Sequence, residues 1–429
     1  MLIKNIPEHR KALTVKPHST SRKFKQPPYY VYRLISKQLK VPKFWWWWRN
    51  KIPPPTPKPK YTINSKFTGE LGSHQKMIVN TIIPKIKERG GGILSVPCGG
   101  GKTIMALYIA TKLKLKTLIV VPMTILLNQW MDAIKSFTNI SPGMIQGATH
   151  IDGDIVVGMM HSLARRDYTL QFDMLIVDEV HDIATKGFIN VLHKISTPFT
   201  LGLSATPKRK DKCEKVFMWF LGGILWEEKR KNAHNVIVKK VPFKINKSDA
   251  FNDLLNKENL SRMRTILSKI TSRNKLIVAW VGGILERSPS RNILILSDRI
   301  EQLWQLNIAF RDRYPQFSSG VLMGPMKHYQ RRQTLKRRVI FASMKIAKEG
   351  FDHPDLDTLI LASPSVDVEQ ATGRILRKDT GHRPLIIDIV DSVVPFNRWW
   401  HVRLKYYKQV GFTIKDKSSK RLYKKSINK

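Results

Sequence analysis

The stretch that decides the fold runs Val96-Pro97-Cys98-Gly99-Gly100-Gly101-Lys102-Thr103. It follows an apolar run typical of a buried strand and precedes an apolar run typical of a helix. Glycines let backbone N–H groups crowd around an anion, and a helix N-terminus adds partial positive charge. The sequence therefore predicts a phosphate-binding loop, in which Lys102 reaches the β- and γ-phosphates of a nucleotide and Thr103 holds Mg²⁺. An ordinary glycine-rich turn is the alternative.

Two adjacent carboxylates, Asp178 and Glu179, follow a second apolar run at 174–177. Hydrolysis of Mg-ATP needs one carboxylate near the metal and one beside the attacking water. We expect Asp178 to bind Mg²⁺ through its water shell and Glu179 to polarise the water. A solvated acidic turn is the alternative, and the phosphate-binding loop in the same chain argues against it.

The composition limits the class of protein. The chain has 429 residues, enough for two or three domains, and 42% of them are hydrophobic, as in globular proteins. No run approaches the ~18 apolar residues that cross a membrane, and the first residues lack the apolar core of a secretory signal. Two cysteines, Cys98 and Cys213, argue against a disulfide framework or a zinc site. They predict a reducing intracellular location: nucleus, cytoplasm or virion.

The charge is extreme, since 75 Lys and Arg stand against 32 Asp and Glu, for a net charge of +43. Such a balance predicts a polyanionic partner, with nucleic acid the first candidate. A basic composition without any binding role is the alternative.

Both ends of the chain are basic and aromatic. Residues 1–62 form a leader whose first 60 positions carry fifteen Lys and Arg and one acid, together with the run Trp45-Trp46-Trp47-Trp48 and a proline-rich stretch typical of a stiff linker. The run either stacks on the bases of a single strand or docks onto the chain's own first domain. Residues 393–429 form a tail with eleven Lys and Arg and one acid.

The segment between these ends alternates apolar runs with helical patterns, which predicts an α/β fold with parallel sheets covered by helices on both faces. The first domain is predicted over 63–225, a connector containing a strand or hairpin over 226–257, and a second domain over 258–392. Predicted strands are 92–96, 117–121, 154–158, 174–177 and 200–204, then 292–297, 338–342, 357–362 and 384–390. Predicted helices are 74–88, 102–114 and 124–137, then 258–284, 298–311 and 366–378.

A polar motif in the second domain contains Gln370, Arg374 and Arg377. On a helix these residues fall at i, i+4 and i+7 and share one face. Two arginines aimed at a transferring phosphoryl group stabilise its transition state and are worth ~10³–10⁵ in rate. A solvated basic helix face is the alternative.

The motifs and their order resemble those of superfamily 2 helicases. The residues that carry the resemblance are Lys102-Thr103, Asp178-Glu179-Val180-His181, Ser204-Ala205-Thr206 and Gln370 to Arg377. The pattern is most similar to the XPB-like and phage UvsW-like DNA helicases and to helicases of large DNA viruses, including the poxvirus transcript-release helicase. The resemblance implies two tandem RecA-like domains with ATP bound in the cleft between them.

The resemblance also assigns further residues. Gln75 is expected to contact adenine, Gly350 and Asp352 to belong to the nucleotide site, and Ser204 and Thr206 to couple that site to the nucleic-acid groove. The segment around Gln129-Trp130 resembles a motif that touches the nucleic-acid backbone.

The sequence thus predicts an ATP-dependent DNA helicase or translocase that uses Mg²⁺. The alternatives are an RNA helicase, or a basic nucleic-acid-binding protein with an incidental ATPase. Transcription or replication proteins are further candidate partners, and no membrane is expected. Polarity, pathway and oligomeric state stay open.

Overall fold

The computed structural model describes residues 1–18, 27–97, 99–165, 171–182, 186–207, 209, 211–228, 235–245, 259–324, 326–348, 353–376 and 380–415. The chain divides into two compact units, Met1–Lys229 and Arg230–Lys429. Four residues with predicted roles lie outside the described residues, so their roles stay predictions: Cys98, Gly350, Asp352 and Arg377.

The first unit alternates strands and helices as the sequence pattern predicts. Its strands are β1 (Leu2–Lys4), β2 (Thr14–Val15), β3 (Tyr29–Tyr30), β4 (Arg33–Ile35), β5 (Gln38–Lys40), β6 (Gly91–Ser95), β7 (Thr117–Val121), β8 (Gly143–Gln146), β9 (Thr149–Ile151), β10 (Ile155–Met159), β11 (Met174–Val177), β12 (Phe199–Ser204) and β13 (Ile224–Glu227). Its helices are α1 (Pro7–Ala12), α2 (Lys43–Asn50), α3 (Ser73–Arg89), α4 (Lys102–Lys112), α5 (Thr124–Phe137), α6 (Met160–Arg165), α7 (Lys186–Lys194) and α8 (Glu214–Leu221).

Within the described residues, the main sheet of this unit has the order β13-β6-β12-β11-β7-β10-β8-β9 and is parallel except for the β8–β9 hairpin. The central strands are buried along their whole length, which is why they read as continuous apolar runs rather than alternating ones. All five strands predicted for this domain are confirmed to within one residue. The hairpin and the edge strand β13 carry no such continuous run and were not predicted.

The leader packs against the first unit. Its strands β1, β5 and β4 form a small antiparallel sheet, and β2 pairs with β3. Leu13 and Leu39 of the leader are fully buried in one apolar cluster with Phe217 of α8. The proline-rich stretch ends where the buried Asp173 carboxylate accepts the backbone N–H of Lys60 at 2.6 Å.

The tryptophan run lies on α2, which packs against α8. Trp45 and Trp47 are buried at 5% and 9% exposure, whereas Trp48 is exposed at 47%. Lys43 ties the start of α2 to the unit, because its Nζ donates to the carbonyl oxygens of Thr197 and Pro198 at 3.0 and 2.9 Å. Of the two interpretations of this run, docking onto the chain's own first domain is the one that the structure shows for Trp45 and Trp47.

The second unit repeats the alternation. Its strands are β14 (Ile237–Phe243), β15 (Ile293–Ser297), β16 (Ser319–Leu322), β17 (Val339–Ser343), β18 (Thr358–Leu361), β19 (Leu385–Asp391) and β20 (Thr413–Lys415). Its helices are α9 (Leu260–Lys269), α10 (Thr271–Leu285), α11 (Ile300–Arg313), α12 (His328–Leu335), α13 (Met344–Lys348), α14 (Glu369–Gly373) and α15 (Val394–Gln409). Among the described residues these strands form one parallel sheet in the order β16-β17-β15-β18-β19-β14-β20.

Two helix predictions in this unit are wrong. The helix expected over 258–284 is interrupted at Ile270, whose extended backbone (φ −69°, ψ 110°) separates α9 from α10. The helix expected over 366–378 is short, because α14 ends at Gly373 and a 3₁₀ turn follows over Arg374–Leu376. A 3₁₀ turn has three residues per turn, so the α-helical spacing predicted from Gln370 is not kept beyond Gly373 in the described residues.

Buried ion pairs connect helices α15 and α10 of the second unit to strand β19. Arg403 on α15 makes a bidentate pair with Asp388 on β19, at 2.8 and 2.7 Å, and Tyr407 donates to the same carboxylate at 2.9 Å. Arg273 on α10 pairs in the same way with Asp391. No helix among the described residues is both long and apolar enough to cross a membrane.

Candidate active site

Three neighbouring parallel strands of the first unit, β6, β12 and β11, carry predicted site residues at their carboxyl ends, and β7 lies beside β11. Backbone bonds hold the strand ends together. Val96 N–H donates to the Ser204 carbonyl at 3.1 Å, and Asp178 N–H donates to the Val120 carbonyl at 3.1 Å. The loop after β6, the coupling residues after β12 and the carboxylates after β11 therefore lie side by side, at the edge where parallel sheets bind ligands.

The loop between β6 and α4 has the backbone that an anion cradle needs. Gly99 and Gly101 have φ angles of 84° and 80°, a left-handed region that favours glycine. Successive N–H groups in such a conformation point into a common concavity, and α4 begins directly after it. Lys102 lies at that helix start, and its Nζ donates to the carbonyl of Val96 in the same loop at 3.1 Å.

Gln75 supports this loop from α3. Its Oε1 accepts the N–H of Gly72 at 3.0 Å, and its Nε2 lies 3.5 Å from the carbonyl oxygen of Gly100. A Cβ placed on Gly101 would lie only 2.1 Å from the same Nε2. The structure thus places Gln75 against the phosphate-binding loop, while its predicted contact with adenine stays a prediction.

Asp178 is buried, with 6% of its surface exposed, and both of its oxygens are engaged. Trp130 Nε1 donates to Oδ2 at 2.8 Å, and the N–H of Glu179 donates to Oδ1 at 2.9 Å. Burial raises the pKa of Asp178 to about 6, and the neighbouring Glu179 adds to the rise. The Trp130 bond and the charge of Lys102 act in the opposite direction and favour the ionised form.

Glu179 adopts a left-handed backbone, with a φ of 49°, which is unusual for a residue with a side chain. Its Oε2 lies 3.2 Å from Nδ1 of His181, and the same Nδ1 lies 3.2 Å from the Ser204 hydroxyl. That hydroxyl donates to the Thr206 carbonyl at 2.8 Å and accepts the Thr206 N–H at 3.1 Å. A polar chain therefore joins the predicted water-polarising carboxylate to the predicted coupling residues, with a close contact rather than a hydrogen bond between Glu179 and His181.

The donor set fits Mg²⁺ held jointly with phosphate oxygens. No group of three or more His, Cys, Asp or Glu side chains within the described ranges could hold a metal by itself. Mg²⁺ in nucleotide sites needs only one or two protein oxygens, the remainder coming from phosphates and water. Asp178 at the end of β11 and Thr103 in the first turn of α4 carry side-chain oxygens that fit this role.

The other predicted site residues lie in the second unit. Gln370 is half-buried on α14, and Arg374 is 3% exposed in the 3₁₀ turn that follows. The structure brings Lys102, Asp178, Glu179, Ser204 and Thr206 together in the first unit. In the second unit it places Gln370 on α14 and Arg374 in the turn that follows.

Two contributions to the site were not predicted. Trp130 was expected near the nucleic-acid backbone, but it is 1% exposed and binds Asp178. Arg209, which donates to the His181 carbonyl, had no predicted role. Trp130 lies on α5, the helix that follows β7, and β7 is the neighbour of β11 in the sheet. Its contact with Asp178 could be predicted only from that strand order, which the sequence does not show.

Comparisons with known proteins agree with this geometry. Residues 68–209, about a third of the chain, match the family described as "Type III restriction enzyme, res subunit". The fold is similar to the solved structure of a Dbp5 variant from S. cerevisiae bound to RNA and ADP BeF3, with a TM-score of 0.58 at 14% identity, covering 82% of this chain and 91% of that one. The fold is that of two tandem RecA-like domains.

The sequence relatives are named as helicases or translocases. L396 of Acanthamoeba polyphaga mimivirus, named as an ATP-dependent RNA helicase, is 37% identical over 76% of this chain. The "DNA 3'-5' translocase XPB2" of Sulfurisphaera tokodaii is 28% identical over 71% of this chain and 78% of its own length. The chain is similar to superfamily 2 helicases, including those of large DNA viruses. It spans 65% of the length of the mimivirus relative.

Proposed function

We propose that the protein is a nucleic-acid-stimulated ATPase that moves along DNA as a helicase or translocase and uses Mg²⁺. The observation that carries the proposal is the meeting of Lys102, Asp178 and Glu179 at adjoining strand ends in the first unit. A phosphate cradle, a buried carboxylate and a second carboxylate held in a strained backbone are the parts that phosphoryl transfer to water requires.

Each of these residues has a defined task in hydrolysis. The ammonium of Lys102 exchanges its bond with the Val96 carbonyl for phosphate oxygens and neutralises their charge. Asp178, kept in one orientation by Trp130, and the Thr103 hydroxyl would hold the metal, whose charge would stabilise the phosphate oxygens. Glu179 orients the attacking water and accepts its proton.

The remaining predicted residues complete the cycle in this proposal. Gln370, Arg374 and Arg377 of the second unit stabilise the charge on the transferring phosphoryl group. The state of Glu179 is transmitted to Thr206 through His181 and then the hydroxyl of Ser204, as their contacts in the first unit support. Closing and reopening of the two domains with each ATP then advances the protein along one strand.

The proposed partner is a nucleic-acid backbone, since a net charge of +43 provides a large sequence-independent attraction for phosphates. DNA is our first choice and RNA the second. The named activities of the relatives point both ways, because the mimivirus relative is named for RNA and the Sulfurisphaera relative for DNA.

The test is the ATPase rate of the full chain with single-stranded DNA, duplex DNA, RNA or no polymer. Lys102→Ala and Glu179→Gln serve as inactive controls. We expect DNA to stimulate the wild type most strongly and both variants to lose the stimulated rate. Equal or greater stimulation by RNA would assign the substrate to RNA. A flat response to every polymer, with tight binding intact, would refute a motor and leave a nucleic-acid-binding protein.

A further inference from the structure

Arg209 and Asp211 form a clamp directly after the coupling residues of β12. The guanidinium of Arg209 binds the Asp211 carboxylate with both edges of its fork, Nε to Oδ1 at 2.9 Å and Nη2 to Oδ2 at 2.7 Å. Its remaining nitrogen, Nη1, donates to the backbone carbonyl of His181. The two side chains are only 15% and 21% exposed, so this pair is shielded from water more than an ordinary surface pair.

Asp211 is itself held from two sides. Its Oδ1 also accepts the backbone N–H of Cys213 at the start of α8, at 3.1 Å. Its backbone carbonyl accepts the N–H of His18 at 2.9 Å, so the leader contributes directly to the clamp. The bonds from Arg209 lower the pKa of Asp211, which keeps the carboxylate ionised and the pair charged.

The clamp fixes the residue that faces the predicted water-polarising group. His181 Nδ1 contacts both Glu179 Oε2 and Ser204 Oγ, so any shift of the His181 backbone alters both contacts. The left-handed backbone of Glu179 costs about 1 kcal/mol or more and persists only where its surroundings over-determine it. Arg209 supplies such a constraint at the backbone carbonyl of His181, two residues after Glu179.

We propose that Arg209 and Asp211 are positioning residues for ATP hydrolysis, which hold His181 and thereby keep Glu179 in place for attack by water. The inference rests on the proposed ATPase function. It assigns the pair to the hydrolytic step and not to nucleotide binding. Among the described residues, the hydrogen bonds of the phosphate-binding loop involve Val96, Gln75 and the backbone of the loop, and neither clamp residue.

A positioning role and a purely structural role of Arg209 predict different effects on kcat, KM and ATP binding. A residue that only stiffens the loop would lower the melting temperature and weaken ATP binding and turnover together. A residue that positions Glu179 lowers kcat while the KM and the Kd for ATP stay the same. It also has no further effect once Glu179 itself is replaced, because both changes remove the same contribution.

The experiment compares four variants of the full chain: Arg209→Gln, Arg209→Lys, Asp211→Asn and Lys212→Gln. Lys212 is the matched control, an exposed cation in the same loop whose loss changes the charge equally. Steady-state kcat and KM are measured at saturating levels of the polymer that stimulates the wild type, together with the Kd for ATP and thermal melting. Each replacement is also made in the Glu179→Gln background.

We expect Arg209→Gln to lower kcat by about 10- to 100-fold, the loss that follows from hydrogen bonds to charged groups. The KM and the Kd for ATP should stay within about twofold, as should every parameter of Lys212→Gln. The kcat of Arg209→Lys should lie between those of the wild type and Arg209→Gln, because an ammonium cannot make the bidentate contact and reach the carbonyl at the same time. In the Glu179→Gln background, Arg209→Gln should add nothing.

Three results would overturn the proposal: an Arg209→Gln variant that keeps kcat within threefold, a loss of ATP binding parallel to the loss of turnover, or full additivity with Glu179→Gln. Failure of the underlying function looks different. In that case the wild type and Glu179→Gln have the same rate with every polymer, whatever residue stands at 209.

Discussion

Replacement of Trp130 by phenylalanine tests the central contact of the site. The indole is 1% exposed on α5, and its Nε1–H donates to Oδ2 of Asp178 at 2.8 Å. Phenylalanine keeps an aromatic ring in the core and removes the donor. Because Asp178 is also buried, no solvent is at hand to replace the lost bond.

The size of the effect follows from the charge of the acceptor. A hydrogen bond to an ionised group contributes about 1.5–3 kcal/mol, and every 1.4 kcal/mol corresponds to about tenfold in an equilibrium constant. Burial raises the pKa of Asp178 to about 6, and the Trp130 bond opposes that rise. Without it the pKa of Asp178 moves upward by roughly one unit or more, so a large fraction of the carboxyl is protonated at pH 7.

The assay is a Mg²⁺ titration of the stimulated ATPase at about pH 7 and about pH 8.5, an interval that spans the expected shift in the pKa of Asp178. We expect Trp130→Phe to lower kcat/KM about tenfold at the lower pH, to raise the half-saturating Mg²⁺ concentration, and to recover in part at the higher pH. Trp304→Phe is the control, since Trp304 is 45% exposed on α11 in the second unit.

The reasoning fails if Trp130→Phe binds Mg²⁺ as the wild type does and keeps kcat/KM within twofold at both pH values. It also fails if the loss is the same at both pH values, since a pure packing defect does not depend on the ionisation of Asp178.

Three further predictions concern other parts of the chain. Burial lowers the pKa of Lys43 from 10.5 to about 7, so the free energy of unfolding should rise with pH between these values by at most ~1.4 kcal/mol per unit; urea melts of Lys43→Met should lack that rise. Arg403→Met removes the ionic partner of the buried Asp388 carboxylate. Denaturant unfolding should show the second unit destabilised by about 3–5 kcal/mol, and adding Asp388→Asn should restore part of that loss. Gly101→Ala forces a side chain onto a φ of 80° and against Gln75, so calorimetry should show ATP affinity reduced about 5- to 50-fold, and less so when Gln75→Ala is added.

The first-unit part of the site was largely predictable, since its signals are local. Glycines before Lys102, and two carboxylates directly after an apolar run, fix the chemistry and the strand end at which each residue lies. The contacts of Trp130 and Arg209 were not predictable in this way. Each depends on which strands are neighbours and on a partner some tens of residues away, and neither residue type nor spacing carries that information.

The errors in the second unit have a related cause. Helical spacing in 366–378 is present in the sequence, but the chain tightens at Arg374 into a 3₁₀ turn where Arg374 and Ile375 are buried. The burial of the four tryptophans could not be predicted either, because an unbroken aromatic run has no periodicity that distinguishes a buried face from an exposed one. Only the packing of α2 against α8 decided between docking and exposure for Trp45 and Trp47.

The order of strands in the second sheet has a consequence for biosynthesis. β14, the strand nearest the start of that unit, lies between β19 and β20, which are made more than 140 positions later, as the register of Ile237 with Leu385 and Thr413 shows. During translation the first unit can close as soon as β13 emerges, because all its strands precede residue 229. β14 has both edges unpaired until β19 is made, and one edge unpaired until β20 follows. Exposed strand edges invite pairing with other chains, so the emerging second unit is the part of this protein most in need of a chaperone on the ribosome.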